Sequence, residues 1–289
     1  MAKPSEASHI ARRKRKNAIY HGLFLSSTLV GVLALAMLLF QVLSQGLGWL
    51  NWDFITSNSS RRPERAGIYT ALIGTLWMIS ITAPLTFIVG LASAIYLEEY
   101  AKDTRMSRLI QMNISNLAGV PSIVYGILGL TLFVRFFALG QSILAGALTM
   151  TLLVLPIIIV ASQEAIRAVP GSLRNASYAL GANRWQTIVR VVLPSAIPGI
   201  LTGAILSMSR AIGETAPLIV VGAAAFIIRP PGSWMDQFTV MPIQIYTWAG
   251  QPQAEFQNIA SAAIIVLLLI LLGMNAAAIL LRNKFQRRL

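Results

Sequence analysis

The chain has 289 residues, of which 56% are hydrophobic and only 11% are charged, and it contains no cysteine. Because ordinary soluble domains carry about 25% charged residues, this composition indicates an integral membrane protein, and the lack of cysteine excludes disulfides and thiolate metal sites. The net charge of +13 does not indicate nucleic-acid binding, because the basic residues cluster at the edges of apolar runs.

Six apolar runs are long enough to cross a membrane as helices, since a span needs about 20 mostly apolar residues. They cover residues 19–43, 68–97, 109–134, 141–161, 195–226 and 257–281. The first run follows a basic segment, as in a signal peptide, but it is longer than the apolar core of about 7–15 residues that such peptides have. We therefore interpret it as an uncleaved span and predict an all-α, polytopic membrane protein with six transmembrane helices.

Basic residues are distributed unequally between the two sides of these predicted helices. Segments 1–18, 98–108, 162–194 and 282–289 together carry 17 of the 23 lysines and arginines. The opposite side carries Arg61, Arg62, Arg65, Arg135 and Arg229, while Arg210 lies within a run. Because cytoplasmic loops are enriched in Lys and Arg, we expect both termini and segment 162–194 to face the cytoplasm.

The longest segments on the opposite side are residues 44–66 and 227–256, which we interpret as outer loops. The tryptophans that lie there, as an aromatic belt at the membrane interface would place them, are Trp49, Trp52, Trp234 and Trp248. Inside the runs, the prolines expected to kink helices are Pro84, Pro121, Pro156 and Pro217. Gly199 and Gly203 are four residues apart and predict a close approach to another helix.

Segment 162–194 is polar, lies between two apolar runs and is much longer than a turn. Pro170-Gly171 breaks the chain, and Ser172 is then a suitable N-cap for a helix. The apolar residues that follow at helical spacing are Leu173, Ala176 and Leu180. Gly181 suits the left-handed residue that ends a helix.

A second helical pattern follows this glycine. Its apolar members are Trp185, Ile188, Val189 and Val192, and Arg184 and Arg190 mark a more polar side. Two short helices beside a membrane are most simply explained as a docking surface for a soluble partner, whose movement would shift the adjoining spans. The alternative is an amphipathic loop that rests on the lipid surface.

One charged pair lies inside the fifth run. Arg210 is near its middle and Glu214 follows four residues later, so both lie on one face of a helix. A charge at mid-bilayer costs about 2.5–3.5 kcal/mol, and such residues normally face a bundle interior or a water-filled path. The pair indicates either a salt bridge that only fixes helix packing or a substrate path. In the second case the planar fork of Arg210 suits oxyanions such as phosphate, and Glu214 holds it in position while the site is empty.

The polar segment resembles the cytoplasmic motif of permease subunits in binding-protein-dependent ABC importers. That motif reads Glu-Ala-Ala, three residues, Gly, nine residues, Ile, one residue and Leu-Pro. The same spacing is met here from Asn175 to Pro194, with different residues at Asn175, Ser177 and Val191. In that family the loop fits a groove on the ATP-hydrolysing subunit. The resemblance thus implies an ATPase-docking loop that includes Ala176, Leu180, Gly181, Arg184, Trp185, Ile188, Leu193 and Pro194.

Three further stretches, at 209–217, 117–126 and 66–76, resemble phosphate ABC permeases, and the ending Glu-Thr-Ala-Pro-Leu most resembles the PstA-type subunit. In that family the Arg and Glu of this motif are implicated in transport, which implies the same for Arg210 and Glu214. In the third run, Asn116, Ser122 and Tyr125 offer hydrogen-bonding groups, either to substrate or to neighbouring helices. The candidate pathway residues are Arg210, Glu214, Thr215, Ser122 and Tyr125.

The resemblance implies an ABC importer (MetI-like) permease fold in a bacterial cytoplasmic (inner) membrane. Residues 19–43 would form the first span, 44–66 an outer loop and 67–282 the permease core, with cytoplasmic tails at 1–18 and 283–289. The implied partners are a homologous permease subunit (PstC type), two ATP-binding subunits (PstB type) and an extracytoplasmic phosphate-binding protein (PstS type), besides membrane lipid.

The chain has no Gly-x-x-x-x-Gly-Lys-[Ser/Thr] loop, so we expect a transport subunit whose ATP energy comes from another chain. His9 and His21 both lie near the N-terminus, which argues against a histidine-based metal or catalytic centre, and no cofactor is expected. The alternatives are an ABC permease for another oxyanion, such as sulfate, molybdate or an organic anion, and an ATPase-independent anion channel or carrier. A membrane scaffold or sensor is a further alternative, but it leaves Arg210 without a reason to lie in the membrane.

Overall fold

The computed structural model describes residues 4–223 and 226–286, and in these ranges the chain is helical without a β-strand. The helices are α1 (Pro4–Gly46), α2 (Trp52–Thr56), α3 (Tyr69–Ile95), α4 (Arg105–Leu117), α5 (Ser122–Gly129), α6 (Ile143–Arg167), α7 (Gly171–Ala179), α8 (Arg184–Thr187), α9 (Leu193–Gly213), α10 (Ala216–Val221), α11 (Met241–Ala249) and α12 (Ala254–Gln286). Wider π-helical turns continue α3 over Tyr96–Tyr100 and α5 over Leu130–Phe136, and Ile188–Val192 joins α8 to α9.

The third predicted span, 109–134, is not one helix. Helix α4 and the segment Ser122–Phe136 are together long and apolar enough to form one span, but the chain bends by 102° at the break between them. Pro121 lies at this break in an extended conformation, with φ −55° and ψ 135°. Proline has no backbone donor and disfavours a helical residue before it, so the helix stops here. Five other helices are long and apolar enough to cross a membrane, so the described residues form up to six spans when the bent pair is counted as one.

The fifth predicted span, 195–226, is also broken, so the expectation that Arg210 lies near the middle of a span is wrong. Helix α9 ends at Gly213, and Glu214 is extended with φ −75° and ψ 131°. Pro217 occupies the first turn of α10, where the missing donor costs nothing, and Gly222 ends that helix with φ +100°. Arg210 therefore lies in the last turn of α9, beside a break in the backbone.

Helix α6 forms the centre of the bundle and packs against α3 and α9. A side chain at Gly199 or Gly203 would meet Ala165 or Ala161 of α6 at 2.8 Å and 2.5 Å from the added Cβ. The predicted close approach at these two glycines is confirmed. Within the described ranges, helix α1 contacts α12 near the C-terminal end of α1, where Ser261 Oγ donates to Gln45 Oε1 over 3.1 Å. The 18-residue apolar stretch of α1 has no buried residue.

The outer segment 227–256 is not simply a loop. It contains α11, whose Met241, Ile243 and Trp248 are buried. Trp248 is only 3% exposed and its ring centroid lies 6.2 Å from that of Phe54, so the prediction that it belongs to an interfacial belt is wrong. The two rings instead belong to the buried cluster at this end of the bundle, where aromatic side chains contribute large apolar areas.

Candidate docking surface and charged pathway

The segment between α6 and α9 forms the two short helices that its sequence predicts. Gly181 has φ +83°, the left-handed conformation expected at the end of α7. Asn183 and Gln186 then form a reciprocal capping box at the start of α8. The predicted N-cap at Ser172 is wrong, because α7 already begins at Gly171 and its N-cap is Pro170, two residues earlier.

The apolar residues of these helices divide into an exposed and a buried group. Leu180 is 90% exposed, Trp185 62% and Leu173 43%, whereas Ile188 and Val192 are fully buried. The structure therefore brings Leu180 and Trp185 to the surface with Ala176, Gly181 and Arg184, which are also exposed. Ile188 instead anchors the segment, and Leu193 and Pro194 lie half-buried at the start of α9.

Arg174 connects α7 to the rest of the bundle. Its Nη2 donates to Glu99 Oε1 over 3.0 Å and to the carbonyl of Ile166 over 2.9 Å, and its Nη1 donates to the carbonyl of Val169 over 2.6 Å. Glu99, in the π-helical turn that ends α3, is only 8% exposed. One guanidinium thus satisfies a buried carboxylate and two carbonyls at the C-terminal end of α6, a position where positive charge is favoured. We refer to Arg174 and Glu99 as the α7 clamp.

Two further contacts lie beside the α7 clamp. Arg167 forms an ion pair with Glu98, whose carboxylate also accepts from Gln163 Nε2 over 3.2 Å. The guanidinium of Arg184 lies over the ring of Tyr100 at 5.1 Å, a cation–π contact. Sequence reasoning missed these residues, although the acidic pair Glu98-Glu99 directly after an apolar run, facing a basic loop, was a usable signal.

Arg210 and Glu214 form the predicted ion pair. Arg210 Nε lies 3.3 Å from Glu214 Oε1, and the two side chains are 51% and 18% exposed. In the part of the chain that the structure describes, Nε is the only nitrogen of this guanidinium with a protein hydrogen-bond partner. The pair therefore leaves one edge of the Arg210 fork available to an anion, while Glu214 fixes its orientation.

The two broken spans meet beside this pair. A Cβ added to Gly126 of α5 would lie 2.8 Å from the Cα of Pro217 in α10, so the two helices touch backbone to backbone. Tyr125 belongs to the same buried cluster as Ala211 and Leu218. Its hydroxyl donates to the carbonyl of Leu117 over 2.8 Å and so satisfies an acceptor that the break leaves free.

The other pathway candidates lie at the same breaks. Ser122 is half-buried at the start of α5, Thr215 is half-buried between α9 and α10, and Asn116 is exposed near the end of α4. Irregular backbone at membrane depth is tolerated where it is buried in protein or lines a water-filled cavity. The breaks are therefore the part of the bundle best suited to handle a polar solute.

Comparisons with known proteins agree with this arrangement. A family described as "Binding-protein-dependent transport system inner membrane component" matches residues 86–289. A Mycobacterium tuberculosis protein called Phosphate transport system permease protein PstA 1 is 37% identical over 288 residues, covering 96% of this chain and 92% of the relative. The chain belongs to this family. It is accordingly a multi-pass transport component of the inner membrane.

Solved structures of other transport-system permeases share the fold. A bacterial alginate ABC transporter, solved with an alginate-bound periplasmic protein, matches with a TM-score of 0.65 and 14% identity, over 92% of this chain and 94% of that one. The MetNI methionine ABC transporter in an inward-facing conformation matches with a TM-score of 0.62 and 18% identity, over 75% and 97% of the two chains. These likenesses concern the fold alone, and they confirm the predicted ABC importer permease fold.

Proposed function

We propose that this chain is a permease subunit of an ATP-driven phosphate importer and forms half of the translocation pathway. The observation that carries the proposal is its 37% identity over 96% of the chain to a phosphate transport permease. The fork of Arg210 supports it independently, because a guanidinium held by one carboxylate near a break in the bundle offers donors that match a tetrahedral oxyanion.

The partners follow from the surfaces that the chain leaves uncovered. Two ATP-binding subunits would dock on the two permeases, here on exposed Leu180 and Trp185, because large apolar side chains left in water mark an interaction site. A homologous permease would complete the pathway, and a phosphate-binding protein would deliver substrate at the opposite end. The termini and residues 162–194 would then face the cytoplasm, with 1–18 and 283–289 as tails and 44–66 outside.

Substrate movement would centre on the break between α9 and α10. Arg210 would bind the oxyanion through its free edge, and Ser122 and Thr215 at the same breaks would add hydroxyl donors. The predicted pathway residue Tyr125 would instead keep the break in shape, because its hydroxyl already donates to the carbonyl of Leu117. Glu214 competes with the oxyanion for the guanidinium, which limits how tightly phosphate is held. A transporter needs this limit, because binding stronger than required slows release.

ATP binding would reach this site through the α7 clamp. Closure of the ATPase dimer would pull the exposed face of α7 and α8. Arg174 transmits that displacement to Glu99 at the end of α3, while the buried Ile188 and Val192 transmit it to α9. The spans would rock and expose Arg210 alternately to the two sides.

Reconstitution tests the function directly. The chain would be assembled in proteoliposomes with candidate permease, ATPase and binding-protein partners, and ATP-dependent uptake of labelled phosphate measured. Uptake that requires ATP and the binding protein supports the proposal. Anion flux without the ATPase would instead support a channel or carrier, and preferential competition by sulfate or molybdate would support a permease for another oxyanion.

Replacing Gly181 with valine is expected to detach or uncouple the ATPase. The added Cβ meets no atom within 4 Å, so the effect arises from φ +83°, which costs an L-residue about 1–2 kcal/mol and more if it is β-branched. The measurement is ATPase co-purification together with uptake. Gly171→Ala is the matched control, because its Cβ also enters open space without the left-handed φ. Equal behaviour of the two variants would contradict the docking role.

Replacing Glu214 with glutamine is expected to slow turnover more than it affects assembly. The amide keeps the shape and an acceptor oxygen but removes the charge that competes with phosphate for Arg210. Both the turnover number and the KM for phosphate should fall, as slower release predicts. Uptake kinetics and membrane insertion would be measured together, and a variant that fails to insert would favour a role in helix packing alone.

A further inference from the structure

The outer arginines Arg61, Arg62 and Arg65 run against the charge bias of the chain, and one of them lines a cavity of about 450 Å³. This outer cavity includes Ser60, Arg61, Phe226, Gln244, Gln251 and Gln253 among its walls. It lies at the end of the bundle where α3 begins. There Thr70 Oγ1, in the first turn of α3, contacts Asn58 Oδ1 at 3.1 Å and the carbonyl of Ile228 at 3.2 Å, and these two residues are close in sequence to Ser60 and Phe226 of the cavity wall. The docking surface is at the other end of α3.

Arg61 is held at the cavity wall in a position to bind an anion. Its guanidinium carbon lies 5.3 Å from the centroid of the Phe226 ring. A cation–π contact occupies the face of the guanidinium and leaves its N–H edge available. Within the described ranges, no ion pair or hydrogen bond of the Arg61 side chain is formed, and no carboxylate lines the cavity.

The wall of the outer cavity carries the positive charge of Arg61, and its glutamines add neutral hydrogen-bond donors. Gln244 is almost fully buried, and its Oε1 accepts from Ser59 Oγ over 3.2 Å, so its amide nitrogen is the group left for the cavity. Gln251 and Gln253 are exposed, and α12 begins directly after Gln253. Glu255 lies in the first turn of this helix and the Phe256 N–H already donates to the carbonyl of Gln253 over 3.2 Å, so the anion-binding groups of the cavity are Arg61 and the glutamine amides rather than the helix start.

We propose that the outer cavity binds a tetrahedral oxyanion before it reaches Arg210. Phosphate as that oxyanion rests on the proposed function. One arginine without a neutralising carboxylate, surrounded by amide donors, provides anion selectivity with modest affinity. An intermediate binding site on a transport path needs both selectivity and modest affinity, because the anion must dissociate from it to continue towards Arg210.

The lack of cysteine in the chain provides a clean test. Gln253→Cys places a single thiol at the cavity, and its reaction rate with an anionic methanethiosulfonate reagent is measured in the assembled importer. Phosphate and chloride are compared at equal ionic strength. The same measurement is made in Arg61→Gln and Arg62→Gln backgrounds, because Arg62 is an exposed neighbour of equal charge that does not line the cavity. Gln251→Cys provides a second reporter.

Phosphate is expected to protect the thiol where chloride does not. Arg61→Gln should weaken the phosphate dependence about tenfold, the effect of losing one charge-assisted partner, while Arg62→Gln should leave it unchanged. Equal loss in both variants, no protection, or thiols inaccessible to reagent in the assembled importer would overturn the proposal. Phosphate uptake measured on the same variants separates the outer-cavity proposal from the proposed function. Uptake without protection of the thiol by phosphate rejects only the anion site in the outer cavity. Protection of the thiol without phosphate uptake rejects only the proposed function.

Discussion

Replacing Arg210 with glutamine is expected to lower ATP-dependent phosphate uptake by about 100-fold while the subunits still assemble. The side chain is 51% exposed, so its loss opens no void in the bundle. It removes the charge that would bind the oxyanion, and one hydrogen bond to a charged group contributes up to about 3 kcal/mol, equivalent to about 100-fold. Uptake of labelled phosphate and co-purification of the partners would be measured on the same preparation.

Two matched variants make this result specific. Arg210→Lys keeps the charge without the planar fork and should retain partial uptake, because an ammonium binds an oxyanion as a point charge. Arg135→Gln removes another exposed arginine, at the end of the Leu130–Phe136 turn, and should leave uptake near normal. Normal uptake by Arg210→Gln would remove Arg210 from the mechanism.

The length of apolar runs predicts α3, α6 and α12 well, because each is one nearly continuous apolar helix. The same criterion fails at the two breaks, since it sums hydropathy without regard to the direction of the backbone. The presence of a proline in an apolar run does not distinguish a broken helix from an unbroken one. Pro84 and Pro156 lie inside the unbroken helices α3 and α6, whereas Pro121 and Pro217 lie at breaks. The breaks are accompanied by contacts between helices, such as Gly126 against Pro217, which the local sequence does not indicate.

The contacts of the candidate site also divide into those that a local sequence pattern predicts and those that depend on the fold. Arg210 and Glu214 are four residues apart, and this local spacing predicts their pairing, although α9 ends at Gly213 and Glu214 itself is extended. Arg174 and Glu99 are 75 residues apart, and no local pattern indicates that they meet. The left-handed Gly181 is a local property and was predicted, whereas the burial of Ile188 depends on the bundle beneath it and was not.

Breaking the α7 clamp is expected to have the other large effect, and it separates stability from coupling. Either Glu99→Leu or Arg174→Met leaves one charge largely buried without its partner, since the two side chains are only 8% and 21% exposed. Such a loss usually costs about 3–5 kcal/mol. The double variant removes both charges and should recover part of that stability, because apolar replacements of a buried ion pair are often neutral, whereas the carbonyls of Ile166 and Val169 still lose their donor. Thermal unfolding of the three variants in nanodiscs measures this difference.

Transport should not recover with stability. In the double variant α7 is still joined to α6 through the chain, but Arg174 no longer pulls on the end of α3, so ATP hydrolysis should continue while phosphate uptake per ATP falls. Arg108→Met is the control, because its partner Asp103 and Arg108 itself are 85% and 67% exposed, and such surface pairs contribute about 0.2–1 kcal/mol. A stable double variant that imports phosphate at the normal ratio to ATP would show that the clamp only holds α7 in place. The displacement would then have to reach Arg210 through Ile188, Val192 and α9 alone.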